Sequence, residues 1–105
     1  MIKIKRLSNS IDYNLQYRVV IDDKIVMEIS NGELKDYNLE EGEHTIKIVS
    51  DNYVSETLKF QNYNGQIIEF ECKPDHKNST FSMLSRKIFL GKLGIELKKK
   101  TDFYL

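Results

Sequence analysis

The sequence predicts an all-β protein, an antiparallel β-sandwich or small barrel of about seven strands with one short C-terminal helix. Three observations predict it. Apolar residues recur every second position up to residue 72, turn signals fall at intervals of roughly ten residues, and the spacing changes to a helical one after Ser79.

"IKIK" at the start alternates and opens the strand series. In "NLQYRVVID", Leu15, Tyr17, Val19 and Ile21 share one face, and Gln16 and Arg18 the other. "KIVMEIS" sets Ile25, Met27 and Ile29 against Glu28, and "KDYNL" sets Lys35, Tyr37 and Leu39 against Asp36 and Asn38. "TIKIVS" places Ile46 and Ile48 opposite Lys47. "TLKFQ" pairs Leu58 with Phe60, and "QIIEFEC" puts Ile68, Phe70 and Cys72 against Glu69 and Glu71. One buried and one wet face per strand is the pattern of antiparallel sheets. Between these runs lie "DDK", "SNGE", "EEGE", "SDN" and "NYNG", rich in the residues that close hairpins. Pro74 ends the series, because proline has no N–H for a sheet ladder.

These runs form core strands over 1–73 of a single domain. An amphipathic helix is expected over 79–92, with Ser79 or Thr80 as its N-cap and Gly91 or Gly94 as its stop. A terminal strand segment, 95–105, follows.

At 105 residues the chain can bury a core without disulfides, and its one cysteine, Cys72, excludes an internal disulfide framework. Sixteen basic residues balance sixteen acidic ones, so no overall field favours nucleic acid. "MIKIKRLSNS" lacks the apolar run of a signal peptide, and no stretch approaches the length of a membrane span. A cytoplasmic location is the expectation.

"EEGEH" gathers Glu40, Glu41, Glu43 and His44 and invites a metal or acid–base reading. A strand alternates the directions of neighbouring side chains, and acidic residues around a glycine mark a solvated turn, so the turn is the expected role. Cys72, Asp75 and His76 make a second candidate, as nucleophile and base or as half a zinc site. Cys72 shares its face with Ile68 and Phe70, which makes it a small core residue first. Adjacent Asp22 and Asp23 read as a hairpin tip. No phosphate loop, dinucleotide fingerprint or nucleophile elbow occurs, so neither an enzyme nor a cofactor is expected.

Charge is segregated along the chain. Between residues 12 and 45, nine acidic residues stand against Arg18, Lys24 and Lys35; between 81 and 100, Arg86, Lys87, Lys92, Lys98, Lys99 and Lys100 stand against Glu96. The C-terminal segment is therefore the expected binding surface, with Phe81, Leu84, Ile88 and Phe89 as apolar anchors and Arg86, Lys87 and Lys92 as charged partners. It suits a protein partner, a second copy of the chain or an anionic membrane surface. The alternative is packing of this segment on its own domain. A small-ligand or metal site at Cys72, Asp75 and His76, or at Glu43 and His44, is the alternative function.

The stretch "VVIDDKIVMEISNGELKDYNLEEGEHTIKI", residues 19–48, resembles small bacterial PEGA-like modules. Ile21 and Asp22 match the strand-ending "ID", and Leu39, Gly42, His44, Thr45 and Ile46 match "L-x-x-G-x-H-T-I". Asp23 stands where that pattern has glycine, and "SNGE" replaces its threonine–proline pair. The resemblance implies an immunoglobulin-like sandwich and a non-enzymatic interaction or accessory role, with the motif positions serving hairpin geometry.

Overall fold

A computed structural model of the chain describes residues 1–75 and 92–104. Among them are ten strands: β1 (Ile2–Arg6), β2 (Tyr17–Ile21), β3 (Lys24–Ile29), β4 (Leu34–Tyr37), β5 (Gly42–Val49), β6 (Tyr53–Val54), β7 (Leu58–Asn62), β8 (Gln66–Pro74), β9 (Lys92–Leu93) and β10 (Ile95–Tyr104). They form two sheets. The first runs β10-β8-β1-β4, and the second runs β3-β2-β5-β6-β9 with β7 also paired to β5. The expected all-β, two-layer architecture is present.

The alternation read from the sequence becomes the core. Ile2 and Ile4 of β1, Ile68, Phe70 and Cys72 of β8 and Ile95 and Leu97 of β10 are buried on one side. Tyr17, Val19 and Ile21 of β2, Ile29 of β3 and Ile46 and Ile48 of β5 meet them from the other sheet. Burying a branched aliphatic side chain contributes about 1.5–3 kcal/mol, so these two interleaved faces hold the layers together.

The other face of the first sheet is a charge lattice. Lys3 lies across from both Asp36 and Glu69, Lys5 and Lys98 both flank Glu71, and Glu96 faces Lys73. Opposite charges across strands contribute roughly 0.2–1 kcal/mol each, and they keep this face wetted.

The structure corrects four expectations. The ladders are not all antiparallel: β1 runs parallel to β8 and β6 parallel to β9. Immunoglobulin order places the second and third strands in opposite sheets, whereas β2 and β3 are a hairpin within one sheet. Ile25, expected beside Met27 and Ile29, is exposed. The register shift makes Val26 an extra residue, so Ile25 pairs with Val20 on the outer face. Lys92, taken as the helix end, lies in β9 instead. The rest of the expected helix, and Phe81, Leu84, Arg86, Lys87, Ile88 and Phe89 with it, lies outside the described residues.

A candidate ligand cleft at one end of the sandwich

Three connections meet at one end of the sandwich: the β2–β3 turn at 22–23, the β4–β5 loop at 38–41 and the β7–β8 turn at 63–65. Asp22 and Asp23 have φ of 50° and 67°. A two-residue hairpin with both central residues at positive φ is a type I′ turn, whose twist suits the strands it joins. Asp tolerates this conformation but glycine adopts it without cost from a Cβ. Asp23→Gly is therefore expected to raise the unfolding free energy by about 0.5–1 kcal/mol, read as a higher urea midpoint at an unchanged slope. The same change at Asp22 removes a brace and is expected to destabilise.

That brace joins the β2–β3 turn to the start of β5. One Asp22 oxygen accepts the Thr45 N–H at 2.9 Å, the other lies 2.6 Å from His44 Nδ1, and the Asp22 N–H donates to the Thr45 carbonyl at 3.1 Å. On its other edge, His44 Nε2 lies 2.8 Å from the Glu40 carbonyl oxygen. The ring sits tilted against Phe60, with centroids 5.8 Å apart, and Phe60 meets Phe70 edge-on in the core. The hydrogen bond to Asp22 is the main cause that raises the His44 pKa above its ordinary value, and the same bond from His44 lowers that of Asp22.

The 38–41 loop is fastened a second time. Asn62 is buried, and its amide donates to the carbonyls of Leu39 and Glu40, both at 3.1 Å. Glu41 accepts the Asn64 N–H at 3.1 Å, and the side chain of Gln66 accepts the Tyr63 N–H at 3.0 Å. Gly65, at φ +82°, closes the 63–66 turn in a conformation open mainly to glycine. Between this loop and this turn lies a cleft of about 370 Å³. Asn38, Leu39, Glu41, Tyr63, Asn64 and Gln66 form most of its walls, and Met1 and Ile67 add apolar surface. Tyr63 is 49% exposed, which leaves its ring available to a ligand.

The sequence-derived candidates are placed differently. Glu43 pairs with Gln61 on the opposite face of β5 from His44, so the two do not converge. Both ring nitrogens of His44 already face acceptors. Cys72 is buried in the core, and burial pushes its thiol up to about 12, far from the thiolate that a nucleophile or metal ligand must be. The Asp75 N–H donates to the Gly94 carbonyl at 2.7 Å, and His76 lies outside the described residues. Among the described residues no three His, Cys, Asp or Glu side chains are grouped to hold a metal ion. Lys98, Lys99 and Lys100 lie 4.0, 2.5 and 3.7 Å from Glu96, Asp102 and Glu71. No described helix is long and apolar enough to cross a membrane.

The cleft was missed because "QNYNGQ" reads first as a turn. Its signal was the density of amide side chains around one tyrosine, more than a hairpin tip needs. No family model, no curated protein and no solved structure matches the chain.

Proposed function

We propose that this protein is a non-catalytic interaction module that holds a neutral, hydroxyl-rich ligand, a saccharide segment, in the cleft between the 38–41 loop and the 63–65 turn. The observation that carries the reading is the lining: Asn38, Asn64 and Gln66 around the half-exposed ring of Tyr63. Amides donate and accept, as hydroxyls do, and a tyrosine ring offers a flat apolar surface for the C–H face of a sugar. The Glu41 carboxylate in the lining disfavours phosphates and other anions, and the Met1 ammonium beside it already donates to Asn62 Oδ1 and the Gln66 carbonyl. The volume falls at the low end of small-ligand sites, about 300–1,000 Å³. Fastening by Asn62 means that the walls need little ordering on binding.

Titration of labelled protein with a panel of neutral oligosaccharides is expected to move amide signals of the 38–41 and 62–67 segments and few others. Tyr63→Ala is expected to weaken the best ligand about tenfold, the equivalent of 1.4 kcal/mol. A panel that moves none of these signals overturns the saccharide reading.

The PEGA-like resemblance belongs to the same proposal. It is supported by the way Asp22, His44 and Thr45 join in one hydrogen-bonded corner, as motif positions serving hairpin geometry would. The basic segment containing Phe81, Leu84, Arg86, Lys87, Ile88, Phe89 and Lys92 stays a proposed second surface, for a protein partner or membrane, on its sequence alone. Flotation with anionic liposomes at low and high salt separates that surface from the cleft.

A further inference from the structure

Two side-chain nitrogens lie within hydrogen-bond reach of the Glu40 carbonyl oxygen. Asn62 Nδ2 reaches it at 3.1 Å from β7, and His44 Nε2 at 2.8 Å from β5. The partner of His44 Nδ1 is a carboxylate oxygen, at 2.6 Å. A carboxylate and a carbonyl can only accept. A neutral imidazole has one N–H, so it can satisfy one of these partners and must point a lone pair at the other. Only the imidazolium donates to both.

We infer that His44 is a proton-operated fastener of the cleft wall: protonated, it locks the 38–41 loop to the β2–β3 hairpin, and deprotonated, it releases the Glu40 carbonyl. The inference rests on the cleft reading only for its consequence in binding; the fastener stands on the ring geometry. The charged groups around the ring agree with it. Asp22 from the β2–β3 turn and Glu40 from the β4–β5 loop both favour the cation, Lys24 acts on Asp22, and β7 contributes the uncharged ring of Phe60. When the proton leaves, the Nδ1–H bond to the Asp22 carboxylate is the stronger one to keep, because one of its partners is charged. The Nε2 lone pair then faces the Glu40 oxygen, and the loop keeps Asn62 and Glu41 but loses its third tie.

The direction of the pH dependence follows from the linkage. A histidine whose folded pKa is raised contributes stability that is complete below the ordinary value of 6.5 and lost as pH rises through the folded pKa. The lowered pKa of Asp22 acts at the other end: its contribution is complete above the ordinary 3.8 and lost as pH falls through the folded value. The corner is firmest between these two limits, and the cleft wall loosens on the alkaline side.

An NMR titration of the wild-type chain, following the His44 ring nitrogens and the backbone amides of Leu39, Glu40 and Glu41, tests this. His44 signals are assigned by their loss in His44→Gln. Expected are two protonated ring nitrogens at low pH, a midpoint above 6.5, and faster amide exchange at residues 39–41 sharing that midpoint. Asp22→Asn is expected to reduce the proton affinity of His44 about tenfold. A midpoint at or below 6.5, or amides that do not respond across it, overturns the fastener. Oligosaccharide titrations on both sides of the midpoint separate the two ideas. Weaker binding at high pH supports both, and equal binding overturns the coupling to the ligand. No binding at either pH, with the shared midpoint intact, removes the saccharide reading and leaves the fastener standing.

Discussion

Arg6→Met is expected to lower the unfolding free energy by about 3 kcal/mol, the sum of several charge-assisted hydrogen bonds lost at a buried site. Arg6 closes β1 and is only 1% exposed. Its guanidinium donates to the carbonyls of Asp12, Leu15 and Ile29, at 2.6, 2.5 and 3.0 Å, and lies 3.7 Å from the centre of the Tyr17 ring. Asp12 and Leu15 belong to the long β1–β2 connection, and Ile29 ends β3. One side chain therefore ties the irregular 7–16 loop to both sheets.

Replacing a buried charged pair with apolar residues is often harmless, but that result depends on removing both partners. Here the partners are main-chain carbonyls that no substitution of Arg6 removes. Met fills much of the volume and leaves three acceptors to find water. Against this, Arg6 Nε has no hydrogen-bond partner among the described residues, so part of the gain in the native chain is already offset. For a chain of this length, 3 kcal/mol corresponds to a fall in melting temperature of roughly 15 °C. Hydrogen exchange is expected to rise first in the 7–16 loop. A loss under about 1 kcal/mol, with exchange in that loop unchanged, removes the tethering role.

Much of the scaffold was legible because period two is a direct consequence of strand geometry. Ile46 and Ile48, Phe70 and Cys72, and Tyr17, Val19 and Ile21 all lie in the core on the faces their spacing assigned. What periodicity misses is pairing. Nothing in "IKIKR" announces that β1 runs parallel to β8, since the partner lies more than sixty residues away. The displacement of Ile25 by a bulge is equally silent, because a bulge belongs to two strands and the sequence displays one at a time. Alternation puts Arg6 on the same face as Ile2 and Ile4, a charge at a core position. What satisfies the charge there is a loop that curls its carbonyls toward that point, a property of main chain that no side-chain pattern records.

The candidate site divides in the same way. A turn does stand at "EEGEH", but it crosses between the layers and closes no hairpin, because β4 pairs with β1 in the first sheet and β5 with β2 in the second; alternation alone separated Glu43 from His44. The useful part of that stretch proved to be the carbonyl of Glu40, which any residue type would supply. Asn62 was read only as part of a turn, although its side chain fixes the cleft wall. Sites built from main-chain carbonyls and amide side chains leave a faint trace in composition. Clusters of histidine and carboxylate leave a loud one that often means nothing more than a wet turn.

Gly94→Ala is expected to cost about 3 kcal/mol, at the upper end of ordinary overpacking. A Cβ built on Gly94 falls 2.2 Å from Tyr53 Cδ1 and 2.9 Å from both Cε1 and Cγ, so the ring lies directly over the glycine. This glycine had been read as a helix stop, but its role is a crossing. Leu93 belongs to β9 in the second sheet, Ile95 belongs to β10 in the first, and the chain changes layer between them. The backbone there has no room to retreat. The Gly94 N–H donates to the Val54 carbonyl at 3.1 Å, while its own carbonyl accepts the Asp75 N–H at 2.7 Å, so both sheets hold it. The clash must be relieved by moving Tyr53, whose N–H and carbonyl close the turn after β5 through Ser50. Strain at the crossing therefore spreads into β6 and its link to β5. Tyr53→Ala alone removes packing and is expected to cost about 2 kcal/mol, but in the Gly94→Ala background it also relieves the clash. The double variant is then expected to be no less stable than Gly94→Ala, a coupling of about 2 kcal/mol measured by a double-mutant cycle in urea. Additive losses in that cycle would mean that the ring is not what excludes a side chain at residue 94, and a Gly94→Ala chain within 0.5 kcal/mol of wild type would remove the crossing constraint altogether.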